Sequence, residues 1–354
     1  MNKLFGLAVA AATLSACGNS SGNEVITTPD IPAVEAETPE TPTEVVDTPT
    51  DGTVVPPSPG EAADPKNLPR AQPPVVAAPT DPSAELATTR AVASGDVGTA
   101  SFDPEAGTLT VQIALDGNDI LQEYIAAGTV DGYARFVKQD DPLDRAFTGF
   151  AAESDDAGLN AVLVMDGGQF NRYFGGGVVQ QVAYTAAPAG LASFAGDYVG
   201  LSNIGSLLTT GNGADPSLVP EAATLITGDI FVNVDFGERQ VNGSIYDRVY
   251  DPDGLAVDLQ TIILTATEFD LDGQFAGTVE FQDLESVGTY EGALGGEEAS
   301  AIAGAITLGE GFLEDATVGG VATTLFDDVE GEAEFGLFLN ERCQAGNAGC
   351  FDAN

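Results

Sequence analysis

The stretch Ile230-Phe-Val-Asn-Val-Asp-Phe-Gly-Glu-Arg-Gln-Val-Asn-Gly-Ser-Ile245 decides the fold class. Apolar side chains stand at every second position from Ile230 to Phe236, and side chains alternate between the two faces of an extended strand. Gly237-Glu-Arg-Gln240 then supplies turn residues before a second short run with β-type residues. The stretch therefore predicts a β-hairpin with one buried face.

Similar runs recur between residue 90 and the C-terminal cysteines. Further strands are predicted over Leu109–Leu115, Ile262–Ala266, Phe275–Phe281, Ala301–Thr307 and Phe335–Leu339. The first of them stops at Asp116-Gly117, a dipeptide typical of two-residue hairpin turns. Long helical periodicity is absent, and short helical pieces are predicted only near Asn118–Ala127 and Pro142–Ala152.

Glycines within the predicted strands refine this fold class. Gly243, Gly277 and Gly304 fit a tightly coiled barrel, in which strands bend sharply where side chains are missing. A membrane-spanning barrel also alternates, but the lack of Trp and the acidic residues on most strands argue against it. We expect an all-β fold with an antiparallel, soluble, side-chain-filled β-barrel.

The N-terminus carries a candidate export signal. Lys3 precedes an apolar run, Leu4–Thr13, that is too short to span a bilayer as a helix, which needs about 20 residues. The run ends in Leu14-Ser-Ala-Cys17, which resembles the lipobox of bacterial lipoproteins. Residues 1–16 are thus a predicted signal peptide, and Cys17 would carry a diacylglycerol with fatty acids such as palmitate. The alternative is an ordinary secretory signal with a chance cysteine.

The residue after Cys17 bears on localisation. Gly18 is not Asp, and in the lipoprotein sorting pattern this implies the outer membrane, with its periplasmic or cell-surface face left open. Residues 17–90 are then a stalk, because Thr-Pro and Asp-Pro units alternate with acidic residues that repel one another. Such a segment is predicted to be disordered and extended.

Composition excludes several classes of function. The net charge is −44, from 55 acidic and 11 basic residues, so the surface repels nucleic-acid phosphates. No His is present, which removes Ser-His-Asp catalysis, Cys-His catalysis and His-ligated zinc. We expect no enzyme activity, no cofactor and no nucleic-acid partner. A carboxylate-dependent hydrolase stays open as an alternative, since two acidic residues suffice for it.

Two cysteines lie close to the C-terminus. Cys343 and Cys350 are predicted to form a disulfide in a short loop, residues 343–354, because an exported protein meets an oxidising compartment. A redox-active pair is the alternative, although that chemistry favours the tighter Cys-x-x-Cys spacing.

Three blocks resemble a known family of surface lipoproteins. Gly288–Ile306 combines a Gly-x-Tyr-x-Gly strand, a turn with an acidic pair and a following strand with an interior glycine. Gly228–Gly237, continuing to Ile245, and Phe194–Gly200 add two earlier strands in the same order. Together they resemble the barrel domain of transferrin-binding protein B and its relatives. Asp141–Arg145 and Gly168–Gly176 resemble the region that precedes that barrel.

The resemblance implies a domain plan and a class of function. It implies an eight-stranded barrel over residues 191–342, preceded by a small, mostly β, handle-like subdomain over residues 91–190. Members of the family bind a protein partner or a haem-type ligand at their surface. This chain has about half the size of the two-lobed receptors, and its sequence shows no second barrel repeat, so the fold transfers better than the ligand does.

One aromatic and glycine-rich patch is a candidate ligand surface. Phe170, Arg172, Tyr173 and Phe174 lie beside Gly175-Gly-Gly177. They form either a recognition loop with an aromatic anchor or a bend that packs the handle against the barrel. Basic residues are scarce, and an Arg in an acidic protein is more often a local ion-pair partner than a ligand contact.

Two acidic turns are weak calcium candidates. Asp251 and Asp253 share the form Asp-x-Asp-Gly with Asp270 and Asp272, but neither continues to the Glu that an EF-hand loop requires. Asp and Gly are equally what β-turns demand, so the turn interpretation is favoured and no metal is assigned.

These observations converge on a binding protein. We expect a lipid-anchored monomer that presents a β-barrel on a stalk and recognises an extracellular or periplasmic protein or a small ligand. The alternative within the envelope is a structural lipoprotein without a dedicated ligand.

Overall fold

The computed structural model describes residues 90–354 apart from 171, 206–219, 252–255, 328, 345–349 and 351–354. Within these residues, only Ile204 and Gly205 are helical, and the remainder is strand, turn or loop. None of the helical structure described there is long and apolar enough to cross a membrane. The all-β prediction is confirmed. Cys17, the predicted signal peptide and the predicted stalk up to residue 89 lie outside the described residues.

The N-terminal half is an antiparallel sheet of eight strands that closes on itself. Its strands are β1 (Arg90–Ala93), β2 (Val97–Asp103), β3 (Thr108–Leu115), β4 (Asn118–Val130), β5 (Tyr133–Lys138), β6 (Phe147–Glu153), β7 (Leu159–Gly168) and β8 (Gly175–Gln181). Their order is β1-β8-β7-β6-β5-β4-β3-β2. Asp96, between the two end strands, donates its N–H to Gly175 O at 2.8 Å and accepts the N–H of Ala114 at 2.8 Å. The continuous β1–β2 segment thus joins β8 to β3 and closes a first barrel, where the resemblance implied a small handle-like subdomain and the sequence showed no second barrel repeat.

The C-terminal half is a second antiparallel barrel. Its strands are β9 (Leu191–Ser202), β11 (Thr224–Asp235), β12 (Gln240–Tyr250), β14 (Ile262–Glu268), β15 (Gln274–Glu280), β16 (Ser286–Gly295), β17 (Ala301–Leu308) and β20 (Glu334–Glu341). The short strands are β10 (Glu221–Ala222), β13 (Val257–Asp258), β18 (Thr317–Val318) and β19 (Val321–Ala322). The long strands follow the order β11-β9-β20-β17-β16-β15-β14-β12, and pairing of β11 with β12 closes the ring. The predicted eight-stranded barrel is therefore present.

The two helical predictions are wrong. Residues Asn118–Ala127 lie in β4, paired with β3 from Leu115↔Asn118 to Leu109↔Tyr124. Within 142–152, a turn leads into β6, which pairs with β7 over its whole length. Both segments are short, and in both the ladder of inter-strand hydrogen bonds outweighs a weak local preference for helix.

In the second barrel, aromatic rings lie over glycines of the neighbouring strands. Gly304 lies directly opposite Phe338, and Gly277 lies opposite Tyr290. A Cβ atom added at either glycine would lie 2.5 Å from the facing ring. At these two of the glycines that the sequence singled out, a large ring therefore crosses the neighbouring strand. At the third, Gly243, an added Cβ would instead lie 2.4 Å from the Phe231 carbonyl oxygen.

A charged pair is enclosed in this apolar interior. Arg248 on β12 and Glu334 on β20 are both fully buried, with 2.5 Å between Nη2 and Oε2. The Tyr198 hydroxyl donates to the second carboxylate oxygen at 2.5 Å, and Nη1 of the arginine donates to the Gln260 carbonyl at 3.0 Å. Burial and the neighbouring carboxylate raise the pKa of Tyr198 well above its usual value, so the phenol remains a donor. Glu334 is thereby satisfied on both oxygens.

The outer faces of the two barrels pack through small residues. Ala293, Ala301 and Ala303 of the second barrel lie in one buried apolar cluster with Leu163 and Val179 of the first. The contact is close enough that a Cβ at Gly295 would lie 2.3 Å from Leu159 Cγ, and one at Gly177 would lie 2.7 Å from Ala305 Cβ. Short side chains on both faces therefore let the two sheets approach as closely as layers of one core.

A polar contact at the rim of this interface joins two turns. Asp156, in the β6–β7 turn, accepts hydrogen bonds from Ser300 Oγ at 2.6 Å and from the Glu297 N–H at 3.1 Å, both near the β16–β17 turn. Burial raises the pKa of Asp156, but hydrogen bonds from Ser300, Gly158, Glu297 and Ser154 outweigh it and hold the pKa below its usual value. The ionised form of Asp156 is the one that this contact stabilises.

Candidate functional site

A two-residue hairpin between β7 and β8 carries the candidate patch. Gln169 and Arg172 exchange both backbone hydrogen bonds, at 2.9 and 3.2 Å, so that Phe170 stands in the first central position. Phe170 has a φ of 57° and its side chain is 57% exposed. A bulky residue in the left-handed region is unusual, because Gly or Asn adopts it with less steric conflict. The hairpin thus holds an aromatic ring in solvent at a conformational cost.

Arg145 holds the hairpin through hydrogen bonds to its backbone. Its guanidinium donates to Asp166 Oδ2 at 2.5 Å, to the Arg172 carbonyl at 2.9 Å and to the Gln169 carbonyl at 3.2 Å. Oδ1 of Asp166 accepts the Phe174 N–H at 2.6 Å. One planar cation therefore joins a buried carboxylate to both ends of the turn, a geometry that the compact ammonium of lysine does not reproduce.

The titration of Asp166 reflects this burial. Desolvation raises the pKa of Asp166, while hydrogen bonds from Phe174 and Arg145 and the charge of Arg145 lower it. Burial prevails, and the pKa lies above the usual value for an aspartate. Arg145 is the charge that compensates the buried carboxylate at neutral pH.

Arg172 connects the hairpin to a second turn. It forms an ion pair with Asp116, whose φ of 52° and neighbouring Gly117 at 80° match the predicted two-residue turn between β3 and β4. The Phe174 ring lies near both cations, with its centroid 4.6 Å from Cζ of Arg145 and 5.2 Å from that of Arg172. The two turns are therefore held together at one end of the first barrel.

A third loop meets the same end. The Gln169 side chain donates to the carbonyl of Leu143 at 3.1 Å, and the Leu143 side chain is 75% exposed. Leu143 and Phe170 are thus two large apolar side chains that extend into solvent from segments joined by a hydrogen bond. Sequence reasoning did not single out Leu143, although it quoted the Asp141–Arg145 segment that contains it.

The four predicted patch residues have different environments. Phe174 is buried in the interior of the first barrel, and Tyr173 is half-buried against Phe335 of β20, with 6.4 Å between ring centroids. Phe170 and Arg172 are exposed. Tyr173 lies between the two barrels, as the packing interpretation expects, while Phe170 faces solvent. Whether the exposed part binds a ligand stays a prediction.

The scarce arginines mostly act as local ion-pair partners, as expected. Arg145 pairs with Asp166, Arg172 with Asp116, and Arg248 with Glu334. Of these, only the Arg172–Asp116 pair is exposed, and such a pair adds about 1 kcal/mol or less to stability. The buried pairs instead fix the orientation of the segments that carry them.

The acidic turns behave as turns where they are described. Asp270 Oδ1 accepts the N–H groups of Asp272 and Gln274, each at 2.9 Å, which is an Asx turn. Asp253 lies outside the described residues, so the Asp251–Asp253 turn is not compared with it. No cluster of three acidic, cysteine or histidine side chains suited to a metal ion occurs in the described part of the chain. Calcium binding at these aspartates stays untested.

The predicted disulfide is present between Cys343 and Cys350. Cys343 is buried, and its N–H donates to the Ser193 carbonyl on β9 at 2.8 Å. The disulfide therefore lies against the start of the second barrel and limits the freedom of the chain after β20.

The chain is similar to known proteins in structure but not in sequence. No protein-family model matches the sequence, and no curated protein shows significant similarity to it. Intact Ap-TbpB with its N and C lobes is 11% identical, with a TM-score of 0.36 over 72% of this chain and 46% of that one. A mutant transferrin-binding protein B from Haemophilus parasuis is 11% identical, with a TM-score of 0.35 over 68% and 52%.

A structure described as a surface lipoprotein is also similar. It is 14% identical, with a TM-score of 0.30 over 73% of this chain and 100% of that one. The chain spans about half the length of the two transferrin-binding proteins B. At these TM-scores, what the chain does has to follow from its own residues.

Substitution of Arg145 by Met tests the support of the hairpin. It removes the cation that compensates Asp166, and breaking a buried pair in this way costs about 3–5 kcal/mol. We expect that loss at pH 7 in urea unfolding of the full-length chain. It shrinks as the pH falls toward 4, because protonation of Asp166, whose pKa is raised, removes the uncompensated charge.

The pH dependence distinguishes this account from simple loss of packing. R145K serves as the comparison, since it keeps the charge but loses the simultaneous contacts to both carbonyls. A loss in R145M that is the same at pH 4 and pH 7 contradicts the role assigned to the pair.

Proposed function

We propose that this chain is a lipid-anchored protein of the bacterial envelope whose head, residues 91–354, recognises a ligand without catalysis. The observation that carries the proposal is the conformation of Phe170, an exposed residue held in the left-handed region. The hairpin that carries this residue is held in place by the buried contact between Arg145 and Asp166. Strained residues of this kind persist where the surroundings enforce them, and they cluster at functional sites. Exposed aromatic residues are also frequent anchors of protein interfaces.

The charge and the exposed side chains of the surface limit the kinds of partner that can bind. The net charge of −44 repels nucleic acid and anionic headgroups, which leaves a protein or a small ligand in the periplasm or outside the cell. Leu143 and Phe170 offer apolar contact area, and Arg172 adds a cation at their side. We infer that the partner is a protein with an apolar recess that accepts the Phe170 ring.

The anchor is tested at Cys17. We expect the wild-type protein to incorporate a labelled palmitate analogue and to sediment with outer membranes, whereas C17S loses both properties. C343S is the matched control, because it removes a cysteine of the C-terminal disulfide and leaves the lipobox intact. Membrane association of C17S with retained label contradicts the proposal.

The same cells show on which face of the outer membrane the head lies. Protease applied to intact cells cuts the stalk if the head is outside, while a periplasmic marker stays whole. Protection until the outer membrane is permeabilised places the head in the periplasm and directs the search for a partner there.

The recognition surface is tested with F170G. Gly adopts the left-handed conformation freely, so we expect the stability of the full-length chain to be unchanged or raised by up to about 1 kcal/mol in urea unfolding. Capture of the partner from extracellular or periplasmic protein by the immobilised chain is expected to fall at least about tenfold, as for loss of a central aromatic anchor.

Leu284 provides a matched control for this variant. It has a φ of 75° and is 58% exposed, close to the values of Phe170, but it lies in the β15–β16 turn of the second barrel. L284G should bind like the wild type. Equal binding by F170G and the wild type contradicts the assignment of the hairpin as the recognition surface.

A further inference from the structure

The β3–β4 hairpin extends beyond the neighbouring strand β5. β4 pairs with β3 from Asn118 to Tyr124, whereas its pairing with β5 begins only at Ile125. β5 ends at Lys138, and the chain then enters the β5–β6 loop. Of the described strands, only β3 therefore pairs with Asn118–Tyr124, about 20 Å of strand at roughly 3.3 Å per residue. We call this segment the open edge.

The register shows which backbone groups of the open edge lack a partner. The Ala114 N–H donates to the Asp96 carbonyl at 2.8 Å, so the backbone groups of Ala114 point away from β4. Because this direction alternates along an antiparallel strand, the even-numbered residues of β4 bond to β3. The N–H and C=O groups of Asp119, Leu121 and Glu123 thus point to the other side. Within the described residues, no turn or loop supplies them with a backbone partner.

The open edge presents apolar and acidic side chains to solvent. Ile120, Leu121 and Ile125 are 41%, 71% and 70% exposed. Leu121 and Ile125 share the outer face of the sheet with Asp119 and Glu123, since side chains alternate along a strand. Unpaired backbone groups beside exposed apolar side chains form a template on which another strand can pair.

The β5–β6 loop, which follows the end of β5, is held elsewhere. Its Gln139 side chain donates to the Asp144 carbonyl at 2.8 Å, and the Asp144 N–H donates to the Asp141 carbonyl at 2.8 Å. Its Leu143 carbonyl accepts the Gln169 side chain of the β7–β8 hairpin at 3.1 Å. No hydrogen bond joins the described residues of this loop to the open edge. The loop therefore leaves the backbone groups of the edge available.

The two carboxylates determine which strand can be added. A second copy of the chain uses all three open residues only in the register that places Asp119 of each copy opposite Glu123 of the other. Like charges directly opposite one another destabilise a strand pair, whereas opposite charges stabilise it. Neither carboxylate forms an ion pair with a described residue. A strand with basic residues at these two positions and an aliphatic residue opposite Leu121 matches the edge.

We infer that the open edge binds an extended segment of a partner protein, which adds one strand to the first barrel beside Asp119, Leu121 and Glu123. The segment carries basic residues at positions i and i+4 and an aliphatic residue at i+2. Backbone hydrogen bonds give affinity in such strand addition, and alternate side chains give specificity. The site uses no group of the Phe170 hairpin, so either surface can fail without the other.

The probe is the acetylated and amidated peptide Ser-Lys-Thr-Ile-Val-Lys-Ser, in which Ile lies opposite Leu121 and each Lys lies opposite a carboxylate. We expect one peptide to bind per full-length chain in non-ionic detergent, measured by fluorescence anisotropy of the labelled peptide at fixed ionic strength. The same peptide with an N-methylated Ile is the matched control. It keeps both charges and every side chain but loses the central hydrogen-bond donor, so it should bind at least about tenfold more weakly.

Exchange of individual amides, followed by mass spectrometry with fragmentation, locates the bound peptide. In the free chain, the N–H groups of Asp119, Leu121 and Glu123 should exchange faster than those of Ile120 and Gln122, which bond to β3. The peptide should slow exchange at the first three positions and leave the other two unchanged.

Two variants separate the backbone of the edge from its side chains. L121P removes one N–H that points away from β3, and proline is tolerated in edge strands at such positions. Its affinity for the peptide should fall at least about tenfold. L121V keeps the donor and an aliphatic side chain, so it should bind within about twofold of the wild type. F170G should also bind the peptide like the wild type.

Three outcomes overturn the inference. The first is no saturable binding of the peptide by the wild type. The second is equal binding of the N-methylated peptide, which would show attraction between charges without strand addition. The third is protection of the Asp119, Leu121 and Glu123 amides in the free chain that disappears on dilution, which would show that a second copy occupies the edge.

Discussion

The close packing of the two barrels is the constraint on which the other features depend. It needs short side chains on both outer faces, and the chain provides them with Ala301, Ala303, Gly177 and Gly295. Because the layers touch closely, Leu159 packs directly against Gly295 of the second barrel. The hydrogen bonds of Asp156 close the rim of the same interface. The two barrels, and the hairpin that the first one carries, are therefore positioned by one continuous interface.

The interior of the second barrel shows how it tolerates charge. Arg248 and Glu334 lie on strands that are distant in sequence, and each makes one further hydrogen bond, to the Gln260 carbonyl and from the Tyr198 hydroxyl respectively. A buried pair of this kind adds little net stability, but loss of one partner is strongly destabilising, so the pair favours one arrangement of the strands over others. Glu332, two residues before Glu334, lacks such compensation on one oxygen.

Local patterns in the sequence predicted what depends on neighbours along the chain. The Asp116-Gly117 turn, the inward face of β15 and the disulfide of Cys343 follow from turn chemistry, alternation and spacing. The helical prediction for β4 failed because pairing with two strands overrides a weak local preference. The support of the hairpin by Arg145 was invisible, since its acceptors lie more than twenty residues away.

Recognition by a held loop requires a head that does not open locally. Hydrogen exchange of the full-length chain, followed by mass spectrometry at increasing urea, measures this directly. If the small-residue interface joins the barrels into one unit, peptides from β7 and β8 exchange with the same opening free energy and urea dependence as peptides from β17 and β20. Exchange of β7 and β8 at a clearly lower free energy, while β17 and β20 remain protected, would contradict the account.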